Sequence, residues 1–225
     1  TNTLTISANK ILSNTAGRGA GIGSDGPSQF LIVNNEIAYN KLTVATNSGG
    51  GVRLQDGAGA TLQGNQIHHN EAPTGYGGGV DVDQGGTTVF NNNVIYSNIV
   101  PTNTGGGGVR VVGVAPTQLV GNLIYSHTGN GLFIESSASA VISANQILSN
   151  SARSNGGGVR INKVTALTFS NNTVSNNSVG FLDISNTPKG LAGGMQVFSS
   201  TGTIEGNLFT NNRSGTYDGG GALVI

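Results

Sequence analysis

The chain has 225 residues, of which only 9% are charged, with a formal net charge of zero and no cysteine. This length suits one domain or one continuous repeat array. The charge excludes the clustered Lys and Arg of a nucleic-acid or acidic-membrane footprint, and without cysteine both oxidising and reducing compartments stay open.

From the N-terminus, the first element is a strand around Ile6 that ends at Asn9 and is followed by Ile11. The same unit, apolar-x-x-Asn-x-[Ile/Val/Phe]-x-x-[Asn/His], then recurs with its first Asn at Asn35, Asn65, Asn93, Asn122, Asn145, Asn172 and Asn207. The intervals are 26, 30, 28, 29, 23, 27 and 35 residues. A short motif at a ragged period of this size predicts a solenoid of β-strand coils, each burying its apolar side against the next. Three residues before each Asn stand Ile6, Ile32, Leu62, Phe90, Leu119, Ile142, Phe169 and Ile204. One residue before it stand Ala8, Asn34, Gly64, Asn92, Gly121, Ala144, Asn171 and Gly206, all small or turn-forming. Two residues after it come Ile11, Ile37, Ile67, Ile95, Ile124, Ile147, Val174 and Phe209.

A third strand follows in each coil, with inward pairs Val52/Leu54, Val80/Val82, Val109/Val111, Leu132/Ile134, Val159/Ile161 and Met195/Val197. This period-2 pattern is a poor helix pattern throughout. The fold class predicted is all-β: a single-stranded parallel β-helix of about eight three-strand coils, with no capping unit at either end. Residues 1–225 form one domain, read as a segment of a longer protein. The repeated Asn should form an internal ladder, each amide bonding the next. No apolar run reaches 18 residues, so neither a transmembrane helix nor membrane insertion is expected.

The Asn motif, the apolar-x-x-Asn before it and the Gly-Gly-Gly-Val-x-Leu strand (Gly49 to Leu54) resemble the right-handed parallel β-helix superfamily over essentially the whole chain. That resemblance implies the right-handed fold and admits several functions: pectate-lyase-like enzymes, glycosidases, uronan epimerases, phage tailspikes and surface adhesins. The last coil, through Phe209 to Asn212 and Gly220 to Leu223, is similar to polymorphic outer-membrane-protein repeats. In the enzymes of the superfamily the substrate groove lies on the third sheet. By that resemblance, the loop containing Phe181-Leu182-Asp183 and Thr187-Pro188-Lys189 would form a wall, and the short loop at 128–131 would leave a gap.

Two outward rows are expected on the third sheet. One is Arg53, Asp81, Arg110, Phe133, Arg160 and Gln196; the other is Gln55, Asp83, Val112, Glu135, Asn162 and Phe198. As a groove for an acidic glycan, Arg53, Arg110 and Arg160 would meet carboxylates, with Phe133 as a sugar platform. Asp81 and Asp83 offer oxygen ligands for Ca²⁺, which takes several. Asp83 and Glu135, two coils apart, sit roughly 10 Å apart at the backbone, near the ~6.5–9.5 Å of inverting glycosidases. If the chain is an enzyme, Asp81, Asp83, Arg110, Glu135 and Arg160 are the catalytic candidates. The competing account is an exposed ladder of alternating charges, Arg53-Asp81-Arg110, that contributes only solubility and sheet pairing. The sequence also lacks an Asp-Asp pair, a Gly-His-Gly and an Asp-Pro-His, signatures of the galacturonase-type and epimerase families.

A second strip follows the Asn turn: Leu12, Ala38, His68, Tyr96, Tyr125 and Leu148, flanked by Tyr39 and His69. Tyr96 and Tyr125 would either stack on each other or bind a sugar or protein partner. His68 and His69, adjacent on a strand, should point to opposite faces, and His127 should replace Asn in a turn ladder. Outward Thr5, Thr61, Thr168 and Thr203 are interrupted by Leu31, Val89, Gln118 and Val141, which leaves no flat Thr grid for ice. The favoured expectation is an extracellular or cell-surface structural or adhesion module that self-associates end to end or binds a glycan. The alternative is a lyase, epimerase or hydrolase acting on an acidic polysaccharide.

Overall fold

A computed structural model describes residues 3–44, 48–73, 75–100, 105–113, 115–153, 155–180, 191–215 and 220–225. The chain winds through three sheets of eight strands each, and neighbours in every sheet are parallel. The first sheet runs from Thr3–Ser7 to Gly202–Glu205 and the second from Lys10–Leu12 to Leu208–Thr210. The third begins at Ile22–Asp25 and ends at Leu223–Val224. Parallel strands need long crossovers; here each crossover is the rest of the coil, and the strands stack in register without slippage. Ile32, Leu62 and Phe90 face one another in the first sheet, for example, as do Ile37, Ile67 and Ile95 in the second. These columns are fully buried and form one continuous core. Among the described residues no helix is long and apolar enough to cross a membrane.

The corners explain the Asn motif. Asn65 Oδ1 accepts the backbone N–H of Asn35 at 2.9 Å and its Nδ2 at 3.1 Å. Asn65 Nδ2 in turn donates to Asn93 Oδ1 at 2.9 Å and back to Ile32 O at 2.8 Å. One amide thereby ties three coils and satisfies groups that would otherwise be buried without partners. Asn9, Asn35, Asn65, Asn93, Asn122, Asn145, Asn172 and Asn207 all take part in this ladder. A second ladder runs through Asn14, Asn40, Asn70, Asn98, His127, Asn150, Asn177 and Asn212. The residue before each Asn turns the chain with positive φ: Ala8 at 56°, Asn34 at 54° and Ala144 at 54°, for instance. Small and Asn residues belong there because a left-handed backbone strains bulky side chains.

The segment after the second ladder, an open loop by sequence, is more ordered than expected. It carries a fourth, narrow parallel ladder, including Thr15–Ala16 with Lys41–Leu42 and Ser151–Ala152 with Ser178–Val179. Single bridges Lys41–Glu71, Glu71–Ile99, Ile99–Thr128 and Thr128–Ser151 join them. Leu42, Ala72 and Val100 are buried beneath it in a small second core. The wall expected around Phe181-Leu182-Asp183 and Thr187-Pro188-Lys189 lies outside the described residues.

Candidate functional site

The third-sheet row is in register as expected: Arg53 beside Asp81, Asp81 beside Arg110, Arg110 beside Phe133, Phe133 beside Arg160. It is not an open groove. Arg53 is 5% exposed, Asp81 0%, Arg110 8% and Phe133 4%. For the three charged residues the cause is the glycine run before their strands. Gly77 has φ +59°, and a Cβ there would meet Asp81 Cβ at 2.5 Å. Gly49 stands in the same relation to Arg53 and Gly106 to Arg110. At each of these turns the backbone folds back across the side chain four residues later, and only glycine permits both the left-handed turn and the close approach.

Beneath this cover the charges pair. Arg110 Nη1 donates to Asp81 Oδ1 at 2.7 Å and to Asp83 Oδ2 at 3.4 Å, while its guanidinium lies 4.4 Å from the Tyr76 ring centre. The continuous Arg53-Asp81-Arg110 ladder therefore needs correcting. Only its Asp81–Arg110 half forms; Arg53 pairs with Asp25 and donates to Ser48 Oγ at 3.3 Å. Asp25 escapes sequence reasoning because its strand opens with Gly19-Ala20-Gly21-Ile22, a degenerate form of the glycine-run signal. Burial works against the Arg110 charge, but Asp81 and then Asp83 outweigh it and hold its pKa above the ordinary arginine value. Burial pushes Asp81 up, with Arg110 and the nearby Ser48 hydroxyl opposing it. Among the described residues Asp81 Oδ2 has no hydrogen-bond partner. The space between the two carboxylates, the expected place for Ca²⁺, is where the Arg110 guanidinium sits, so a cation there would have to displace it. Among the described residues no three His, Cys, Asp or Glu side chains converge as metal ligands.

Further along the row, Arg160 lies 5.1 Å over the Phe133 ring, and Asn162 Nδ2 donates to Glu135 Oε1 at 2.6 Å. Burial lowers the Arg160 pKa, with Glu135 opposing. Phe133, covered on one side by Arg160 and otherwise buried, presents no free face to a sugar. Asp83 and Glu135 remain partly exposed and two strands apart. Of the catalytic candidates they are, with Arg160, the ones solvent reaches, while Asp81 and Arg110 are sealed.

The aromatic strip on the second sheet forms by register: Ala38, His68, Tyr96 and Tyr125 stand side by side. His68 stacks on Tyr96 at 4.6 Å and Tyr96 on Tyr125 at 5.0 Å, with ring planes 19° and 9° apart. Strand spacing and aromatic stacking distance coincide, so these faces are occupied by each other. The His pair departs from expectation. His69 sits at a corner with φ +53°, not on a strand, so its ring turns toward His68. The two Nδ1 atoms lie 2.9 Å apart. A corner position, one residue before a ladder Asn, is the signal available in the sequence.

His127 fills the ladder position expected of it. Its Nδ1 accepts the Asn98 backbone N–H at 3.0 Å, its own N–H donates to Asn150 Oδ1, and Nε2 meets Ile95 O at 3.1 Å. Burial lowers its pKa to about 4, opposed by the hydrogen bond between Nε2 and the Ile95 carbonyl. A shallow cleft of about 310 Å³ near the first corner is lined by Lys10, Asn34, Glu36 and Gln66, among others.

Neither a curated protein nor a solved structure matches this chain. The right handed beta helix region family matches residues 20–224, nearly the full length, and the parallel three-sheet coil agrees with it. The chain belongs to the right-handed β-helix family.

Proposed function

We propose that this chain is a rod-like structural module of an extracellular or cell-surface protein, and that it assembles by stacking β-helix coils end to end. The observation that carries this reading is the direction of the Asn ladders. The bonds from one ladder amide to the next all run the same way along the axis: Asn9 to Asn35, Asn35 to Asn65, and so on to Asn207. A coil stacked in register on such a ladder continues it, side-chain oxygen to backbone N–H. Leu4, on the outer strand of the first sheet, and Leu208, on the outer strand of the second, are 60% and 57% exposed. A head-to-tail contact of this kind is heterologous and propagates into a filament, and edge strands are natural templates for such pairing.

The low charge content and the burial of Arg53, Asp81 and Arg110 under their loops also favour a scaffold, since their polar groups serve to hold the coil. Placement outside the cell rests on the resemblance to surface β-helix proteins. Labelling of the intact producing cell with antibody against this segment tests it, and labelling only after lysis would remove it. Assembly is tested by sedimentation of the isolated chain over a wide concentration range. Concentration-dependent species that vanish in Leu4→Lys support stacking. A single monomeric species at the highest concentration would falsify it.

A further inference from the structure

We propose that His68 and His69 form a two-nitrogen site for a divalent transition metal of square-planar or tetragonal preference, Cu²⁺ above all. The two Nδ1 atoms lie 2.9 Å apart. Donors on ~2.0–2.1 Å bonds at a right angle are ~2.9 Å apart, whereas a tetrahedral pair is ~3.3–3.4 Å apart. The observed separation is that of an N–H···N hydrogen bond and equals one edge of a square, so a metal of square-planar preference replaces the shared proton with less movement of the rings than a tetrahedral one.

The surroundings fix both rings. Tyr39 stacks on His69 at 5.0 Å and Tyr96 on His68 at 4.6 Å, and the two imidazoles stand at 88° to each other. Glu36 Oε1 lies 3.7 Å from His68 Nε2, and its other oxygen lies 3.4 Å from Lys10 Nζ. A carboxylate there favours the proton on Nε2, which leaves the His68 Nδ1 lone pair directed at His69. That carboxylate–histidine arrangement is the usual outer support of a metal-bound imidazole. On binding, the proton shared between the two Nδ1 atoms moves to Nε2 of His69, which is solvent-exposed, so both nitrogens bind as neutral donors. Among the described residues no third His, Cys, Asp or Glu joins them, so water completes the coordination and the site is open to a further ligand.

The chain has three histidines, so the variant set is small. The probe is Cu²⁺ alone, added to the whole chain in a non-coordinating buffer, with calorimetry for stoichiometry and electron paramagnetic resonance for the ligands. One equivalent should bind, with hyperfine structure from two nitrogens. His69→Ala, at an exposed corner, should fold normally and weaken binding at least tenfold. His68→Gln should do the same, with circular dichroism reporting whether the coil survives. Glu36→Gln should weaken binding roughly tenfold, the low end of outer-support effects, and His127→Asn should leave it unchanged. If wild type and His69→Ala titrate alike, or the bound copper shows no imidazole nitrogen, the contact is only an N–H···N hydrogen bond and the site does not exist.

Discussion

His127 interrupts an otherwise all-Asn ladder, and the interruption should make the rod acid-sensitive in a way one substitution removes. The ring is 2% exposed and neutral, with its Nδ1 lone pair committed to the Asn98 N–H. Its pKa is about 4 in the folded chain, against 6.5 for an unperturbed imidazole. Between those values the unfolded chain binds a proton that the folded chain refuses, so stability is full above pH 6.5 and falls as the pH drops toward 4. At about 1.36 kcal/mol per unit, the shift corresponds to about 3 kcal/mol in all, most of which is lost between about pH 7.5 and 4.5. In His127→Asn the new amide oxygen accepts the Asn98 N–H without any titrating group, as the Asn98 oxygen does for Asn70. Urea unfolding of both proteins across this range should show wild type losing roughly 2–3 kcal/mol more than the variant. Carboxylate effects common to both cancel in the difference. Parallel profiles would show that His127 does not titrate as its burial requires.

Three other substitutions probe the corners and the covered row. Asn93→Ala should cost about 2–4 kcal/mol in urea unfolding, since it leaves the buried Asn65 N–H without a partner and takes one acceptor from Asn65 Nδ2 and one donor from Leu62 O; a loss under ~1 kcal/mol would mean water replaces the amide. Ala144→Gly should raise the thermal midpoint by about 1–4 °C, because Ala144 is held at φ 54° and the left-handed backbone costs Ala about 1 kcal/mol; a lower midpoint would show the corner is not strained. Arg110→Ala should cost about 3–5 kcal/mol at neutral pH by stranding the Asp81 carboxylate. That loss should shrink on acidification, because a carboxylate whose pKa burial raises sheds its charge, and its penalty, as pH falls. An equal loss at about pH 7 and pH 5 would place the damage in packing rather than charge.

The coil is legible because each of its parts leaves a separate mark at a constant offset. The core position three residues before each ladder Asn is apolar, as Leu62 and Phe90 show, the corner one residue before it is small or turn-forming, and the ladder residue itself is Asn. What escapes does so for identifiable reasons. The fourth ladder has strands of two residues or single bridges, and loops of uneven length follow it, so Leu42, Ala72 and Val100 look like loop residues. Their signal is their constant place two residues after the second ladder Asn. Strand alternation assigns Asp81 and Arg110 to the outer face correctly but says nothing about what lies over that face. The glycine four residues upstream, whose Cβ would strike the side chain, carries that information. His69 is misplaced when alternation is extended one residue past the strand into a corner, where positive φ rotates the side chain back.

These constraints leave few places for anything other than holding the rod together. Core positions are apolar by burial, ladder positions are Asn by hydrogen bonding, and Arg53, Asp81 and Arg110 on the third sheet are roofed by glycine turns. A residue free to meet a ligand must fall outside all three sets. Tyr39 at 54% exposure and Phe198 at 61% do so, as does His69 at its corner. A corner before a ladder Asn is otherwise filled by small or Asn residues, such as Ser97, Ser126, Ser149 and Asn176, which tolerate positive φ. Tyr39 and His69 occupy that position in consecutive coils, where the backbone favours neither, and their rings stack on each other. Stacking of two exposed rings returns about 0.5–1.5 kcal/mol, less than the roughly 2–4 kcal/mol of holding two such residues left-handed. Stability alone therefore does not account for choosing them over serine. The position repeats, the residues break the repeat, and the break brings two imidazole nitrogens within 2.9 Å of each other, so this corner is where a function beyond scaffolding should be sought first.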